Sequence, residues 1–276
     1  KEDLEKIPAS TQNMIYYPTN KLRFYVNKEN VLNSGIINKS EIDNIVDYID
    51  IDIPKSGLYK NQILMLDILS KNDWKRPIYF TGGSYKDSEY LWMKDFLQLD
   101  GLVYKLVPIK TPINQDNPYQ MGRIEPYRMY DIVKKWEWGN SESSEIYHDP
   151  ETRKNSISFR GNLHRLAESF VSIGENVKAK EIMDLSFEKM PLEYFEYYSL
   201  SEPYISTYHK IGEKDKAQKL YSDIEKKYLD QIKYYSNSLE NYPDFFSISD
   251  YAENIFTYTE RYRGLIENEI LEGNYI

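Results

Sequence analysis

The sequence predicts two parts in tandem: an α/β sheet domain of βαβ units with mostly parallel strands, residues 1–140, and an all-α helical repeat domain, residues 148–276. Three observations lead to this. Between Ile45 and Lys110, two helical patterns sit between three strand patterns, the order of consecutive βαβ units. From Asp149 onward the pattern is helical, and one set of small and large apolar residues recurs at a fixed offset. Between the two parts lies NSESSEIYH, residues 140–148, polar and with few apolar anchors, which reads as a linker.

Residues 1–20 are polar and carry Pro8 and Pro18. Leu22-Arg-Phe-Tyr-Val26 is rich in strand formers. Ser40-Glu-Ile-Asp43 is a variant of the capping box and opens a short helix. Tyr48, Ile49, Ile51 and Ile53 mix alternation with β-branching, so residues 48–53 read as a strand, broken by Pro54, Ser56 and Gly57. Residues 58–70 carry an apolar stripe wide enough for a helix packed on a sheet. Asn72-Asp73 ends it, and residues 77–80 are a short buried strand. Gly82-Gly83-Ser84 then turns the chain into a helix over 86–98, Asp100-Gly101 is the next turn, and residues 102–107 form the third strand. A Pro-, Asn- and Gln-rich loop to about Met121 reads as a covering or docking loop. A helix over 126–137 follows, stopped by Trp138-Gly139-Asn140.

Asp149-Pro150-Glu151 is a helix start with N-cap, proline at the first helical position and an acid in the first turn. Leu166-Ala167, Phe170, Gly174, Ala179, Met183 and Pro191 fall at the spacings of a tetratricopeptide motif. The frame returns thirty-eight residues later in Ile205, Tyr208, Gly212, Ala217 and Tyr221, with Ile173-Gly-Glu175 and Ile211-Gly-Glu213 as the inter-helix turns. That offset predicts a longer connection near 191–195, then a long helix over 214–237 and a last one near 249–266.

A net charge of −9 argues against a nucleic-acid partner, because phosphate neutralisation needs clustered Lys and Arg. No run approaches the roughly 18 apolar residues of a membrane span. The chain has no cysteine, which excludes disulfides, thiol catalysis and Cys-based zinc sites and fits an oxidising compartment. With no signal peptide and no initial Met, it reads as an excised or processed piece.

Candidate sites are few. Gly82, Gly83 and Ser84 follow a strand and open a helix, so their N–H groups suit an anion; a tight turn needing positive φ is the plainer explanation. Asp50 and Asp52 share one strand face, as a cation site or acid–base pair would require and as a solvated face would also produce. Tyr204 and Tyr208 belong to a tyrosine-rich hairpin suited to stacking sugars or lining a peptide groove, or to filling the core. His148, His164 and His209 have no partner at metal-ligand spacing. No nucleophile elbow, P-loop or dinucleotide fingerprint is present, and the expectation is no catalytic residue, no metal and no cofactor.

LMLDIL, NDWKRPIYF and FLQLDGLVYKLVPIK, with Lys21–Val31, Asp52–Ser56, Gly122-Arg123, Met129–Asp131, Trp138–Asn140 and Asn162–Ala167, resemble the C-terminal soluble region of large bacterial membrane proteins related to protein O-mannosyltransferases, which look like GT-C glycosyltransferases. The resemblance runs over most of the chain. It implies further soluble sequence before Lys1, with strands missing from the sheet, and a membrane half that carries the catalytic acid and the lipid-linked sugar site. This segment would then be non-catalytic and extracytoplasmic (periplasmic), orienting an acceptor or partner protein. Its partners would be the membrane-embedded half and an acceptor protein, peptide or glycan. The alternatives are a protein- or peptide-interaction scaffold using the concave face of the helical repeats, and a polysaccharide-binding protein.

Overall fold

The computed structural model describes residues 6–9, 12–15, 19–53, 57–81, 91–113, 120–245 and 247–271, and the chain divides into two compact units, Lys1–Met129 and Tyr130–Ile276.

The first unit contains the strands β1 (Lys6–Ala9), β2 (Gln12–Ile15), β3 (Lys21–Tyr25), β4 (Tyr48–Asp52), β5 (Tyr79–Thr81), β6 (Leu97–Asp100) and β7 (Val103–Leu106). They form three small sheets, β1-β2, β3-β4 and β5-β7-β6, and every strand pair is antiparallel. This overturns the expected mostly parallel α/β sheet of βαβ units. The parallel contact that occurs among the described residues is an isolated bridge, Gln98 to Arg123. The physical reason lies at Asp100-Gly101. Gly101 has φ +74° and, with Leu102, closes a two-residue hairpin in which Asp100 faces Val103. A positive φ at the first central residue suits a type II′ turn, whose twist matches that of the flanking strands. The apolar run before it, expected to end a helix over 86–98, is a 3-10 turn at Leu91–Phe96 followed by β6.

The β3–β4 ribbon alternates cleanly. Ile49 and Ile51 are buried while Tyr48, Asp50 and Asp52 face out. Its inner face meets Val31 of helix α1 (Lys28–Asn33), Ile36, Ile45, Phe96, Leu106 and Ile109 in one apolar cluster. Helix α2 (Lys60–Asn72) starts where the Gln62 side chain accepts from the Tyr59 N–H at 2.9 Å. It contributes Leu66 to that cluster but leaves Leu64 and Ile68 exposed, so it covers the ribbon less than its apolar pattern predicts. Helix α3 (Pro126–Val133) is shorter than expected.

The second unit is helical: α4 (Pro150–Ser172), α5 (Asn176–Lys189), the short α6 (Leu192–Phe195), α7 (Glu202–Lys210), α8 (Lys214–Asn241) and α9 (Ile248–Leu271). Asp149 caps α4 as read from sequence, accepting from the N–H groups of Glu151 and Thr152 at 2.8 and 3.1 Å. The α4–α5 and α7–α8 turns are built alike. Gly174 and Gly212 stand at φ +79° and +84°, and the next N–H reaches back to Phe170 and Tyr208, in each case at 2.9 Å. That is a Schellman ending, which requires the left-handed residue glycine supplies. Ala179 and Ala217 then take the same place on α5 and α8, both with no exposure. The longer connection expected near 191–195 is α6 with a 3-10 turn at Tyr198–Leu200, and Glu196 and Tyr197 between them hold positive φ.

Candidate functional site

A cleft of about 560 Å³ lies in the first unit between the β3–β4 ribbon and α2. The alternating side chains Ile49 and Ile51 of β4 and Leu66 of α2 make it apolar, while four consecutive residues of β3, Leu22 to Tyr25, run along it. Asp67, Ser70, Asn72 and Asp73 bring polar groups to its α2 side. A mostly apolar concavity with a few polar groups is the usual form of a ligand site, and the volume falls in the ordinary range.

The C-terminal end of α2 is held there against a backbone preference. Asp73 and Trp74 have φ +46° and +59°, and Trp is a residue that seldom occupies the left-handed region. Hydrogen bonds fix both. Asn30 Nδ2 donates to the Asp73 carbonyl and carboxylate, each at 2.8 Å, and the Trp74 indole N–H donates to the Tyr25 carbonyl at 3.1 Å. The strained pair therefore ties α2 to β3 at one end of the cleft, the kind of stored strain that gathers at binding sites.

Asp50 and Asp52 do share one exposed face of β4, as the spacing requires, but each faces a cation across the ribbon. Arg23 grips Asp50 through two contacts of 2.7 and 2.8 Å and lies over the Tyr48 ring at 3.6 Å. That hydrogen bonding lowers the Asp50 pKa. Lys21 is 3.6 Å from Asp52. The pair is thus two cross-strand ion pairs. Gly82, Gly83 and Ser84 lie outside the described residues. Tyr204 and Tyr208 are interior: the Tyr204 hydroxyl donates to the Arg160 carbonyl at 2.7 Å and that of Tyr208 to Asp184 at 3.0 Å. Among the three histidines, His164 Nε2 is 3.1 Å from the Pro203 carbonyl and 3.0 Å from Thr207 Oγ1, His148 packs on Phe195, and His209 is 3.4 Å from Glu269. No group of acids and histidines among the described residues is arranged to hold a metal ion.

Sequence reasoning missed a second polar cluster, on the β6–β7 hairpin. Asp100 is buried and accepts from Gln98 Nε2 at 2.7 Å and Arg128 Nε at 3.1 Å, with the Lys105 ammonium also at 3.1 Å. Burial lowers the Lys105 pKa, with Asp100 opposing. Burial also works against the charge of Arg128, but Asp100 and a hydrogen bond with Tyr79 outweigh it and raise its pKa. The signal in the sequence was a charge in each of two short apolar strands, LQLD and VYKL.

These features describe a small mixed unit with an apolar cleft and a buried ionic cluster, followed by a unit of helical hairpins. Residues 1–127 match the family model described as TMEM260-associated domain 2, a domain tied to a membrane-protein family. The match ends where the first compact unit ends, so it does not extend over most of the chain as the resemblance did. No curated protein and no solved structure matches the chain. Among the described residues, no helix is long and apolar enough to cross a membrane.

Proposed function

We propose that this chain is the non-catalytic, extracytoplasmic companion part of a membrane-embedded glycosyltransferase resembling protein O-mannosyltransferases, and that it orients the acceptor polypeptide. The supporting observation is the match of residues 1–127 to a domain associated with a membrane-protein family. The absence of cysteine accords with the outer, oxidising side of the membrane. The apolar cleft beside β3 is suited to holding a polypeptide segment, whereas Asp50 and Asp52 are each engaged by a cation.

Deleting these 276 residues from the membrane protein that carries them, with its membrane half retained, is the test. The expected outcome is an inserted membrane half that no longer transfers sugar to its acceptor polypeptides. The isolated chain is expected to bind acceptor and to turn over neither activated sugars nor glycosides. Undiminished transfer after the deletion overturns the proposal. So does turnover by the isolated chain that Asp50→Asn or Asp52→Asn abolishes.

A further inference from the structure

We infer that the cleft takes an extended polypeptide as an added β-strand on the free edge of β3, with Arg23 as the residue that exchanges both backbone hydrogen bonds with it. This rests on the acceptor-orienting reading and specifies how the acceptor is held.

Among the described residues, β3 is paired with β4 on one side only. The flanking bonds set the parity of the ribbon: the Val26 N–H donates to the Asp47 carbonyl at 2.9 Å and the Ile53 N–H to the Asn20 carbonyl at 2.8 Å. Both pairs lie in the register that places Leu22 opposite Ile51 and Phe24 opposite Ile49. In an antiparallel ribbon hydrogen-bonded and non-hydrogen-bonded pairs alternate. Even-numbered residues of β3 therefore bond to β4, and the backbone groups of Lys21, Arg23 and Tyr25 point to the open edge.

Lys21 is closed off and Tyr25 is half closed. The Thr19 hydroxyl bonds both the N–H and the carbonyl of Lys21, at 3.2 and 3.0 Å. The Trp74 indole occupies the Tyr25 carbonyl. Among the described residues the N–H and carbonyl of Arg23 and the N–H of Tyr25 have no partner. That is an opening for one narrow pair and one further bond, bounded at both ends. An alternating side-chain pattern along β4 and a continuous run along β3 are what a cleft shows when it follows a face of one strand and the edge of the other.

The chemistry of the occupant follows from strand geometry. A residue paired with Arg23 points its side chain to the same side as the Arg23 side chain, away from the apolar floor, so it is polar. Its two neighbours point the other way, beside Leu22 and Phe24 and over the apolar floor, so they are apolar. The ligand is an extended segment of polar–apolar alternation in which main-chain bonds supply affinity and the floor selects side chains.

The test uses the whole chain and the peptide acetyl-Ser-Val-Ser-Val-Ser-amide, against the same peptide N-methylated at its central serine. Binding is expected to shift the amide resonances of Arg23 and Tyr25, and N-methylation to weaken it about tenfold, the equivalent of one lost hydrogen bond. Arg23→Pro removes the N–H only on the unpaired side, a position an edge strand tolerates, and is expected to weaken binding similarly. If Arg23→Pro fails to fold, the N-methylated peptide decides the matter on the unaltered chain. Equal affinity for the two peptides, binding that leaves both amides unmoved, or no binding at all overturns strand addition. None of those three results bears on the deletion experiment, so the acceptor-orienting role stands or falls separately.

Discussion

The Tyr204 hydroxyl reaches across from α7 to the carbonyl of Arg160 on α4 and stands 3.1 Å from the Ser186 hydroxyl of α5, joining three helices at one buried oxygen. Burial raises the Tyr204 pKa well above that of a free tyrosine and outweighs the Ser186 hydrogen bond and the Arg160 charge, which both favour a phenolate. Tyr204→Phe keeps the ring packing and is expected to cost about 1 kcal/mol. Tyr204→Ala should cost ~3–5 kcal/mol. Chemical denaturation followed by the helical signal distinguishes the two.

Ala179 and Ala217 are expected to respond alike to enlargement. Each is fully buried where the second helix of its hairpin crosses the first, and each N–H bonds the turn glutamate at 3.1 Å. Ala179→Leu or Ala217→Leu should destabilise the helical unit by ~1–3 kcal/mol through overpacking. Unchanged melting in both would contradict the shared register.

The ionic cluster on the β6–β7 hairpin should be asymmetric to mutation. Asp100→Ala strands Lys105 in the interior and takes a partner from the part-buried Arg128, and is expected to cost ~3–5 kcal/mol. Lys105→Met leaves Asp100 with Arg128 and Gln98, so it should cost distinctly less. Urea midpoints of the two variants, compared with the parent, check the order.

His164 predicts the direction of a pH effect. Burial lowers its pKa from the ordinary 6.5, with Glu168 opposing. Below 6.5 the unfolded chain takes up a proton that the folded chain refuses, so stability falls as pH drops through this window. His164→Gln should flatten that slope between about pH 5.5 and 7, above the carboxylate range. A slope as steep in the variant would exclude His164 as its source.

The helical unit was legible because its signals are local. Asp149-Pro150, Gly174 and Gly212 each act within one turn of helix, and the alanines repeat at fixed distance from the glycines. Strand direction in the first unit was not legible in that way. FLQLDGLVYKL contains a hairpin turn flanked by apolar residues, yet the same apolar run also fits the end of a helix, and only long-range pairing with β5 decides. The cleft was hidden for another reason. Leu22, Ile49, Ile51 and Leu66 read as core residues, which they also are, and nothing in the sequence says that α2 stands partly away from them. A left-handed Trp74 has no signature beyond the Asn72-Asp73 that ends the helix before it.

Arg160 lies fully buried on α4, giving one N–H to the Met190 carbonyl at 2.7 Å and resting 5.0 Å from the Phe187 ring centre. Two hairpins with matching turns and matching buried positions offer a folding chain a choice of partners: α4 could settle against α8 as readily as against α5. A guanidinium at this depth removes the ambiguity, since only the end of α5 and the connection after it present that carbonyl and that ring. Thirty-eight residues on, the corresponding position is Tyr198, which makes no such demand. The repeat thus carries an asymmetric mark that makes mispairing of its helices unfavourable, and replacing Arg160 with a neutral residue would relax fidelity of assembly as well as stability.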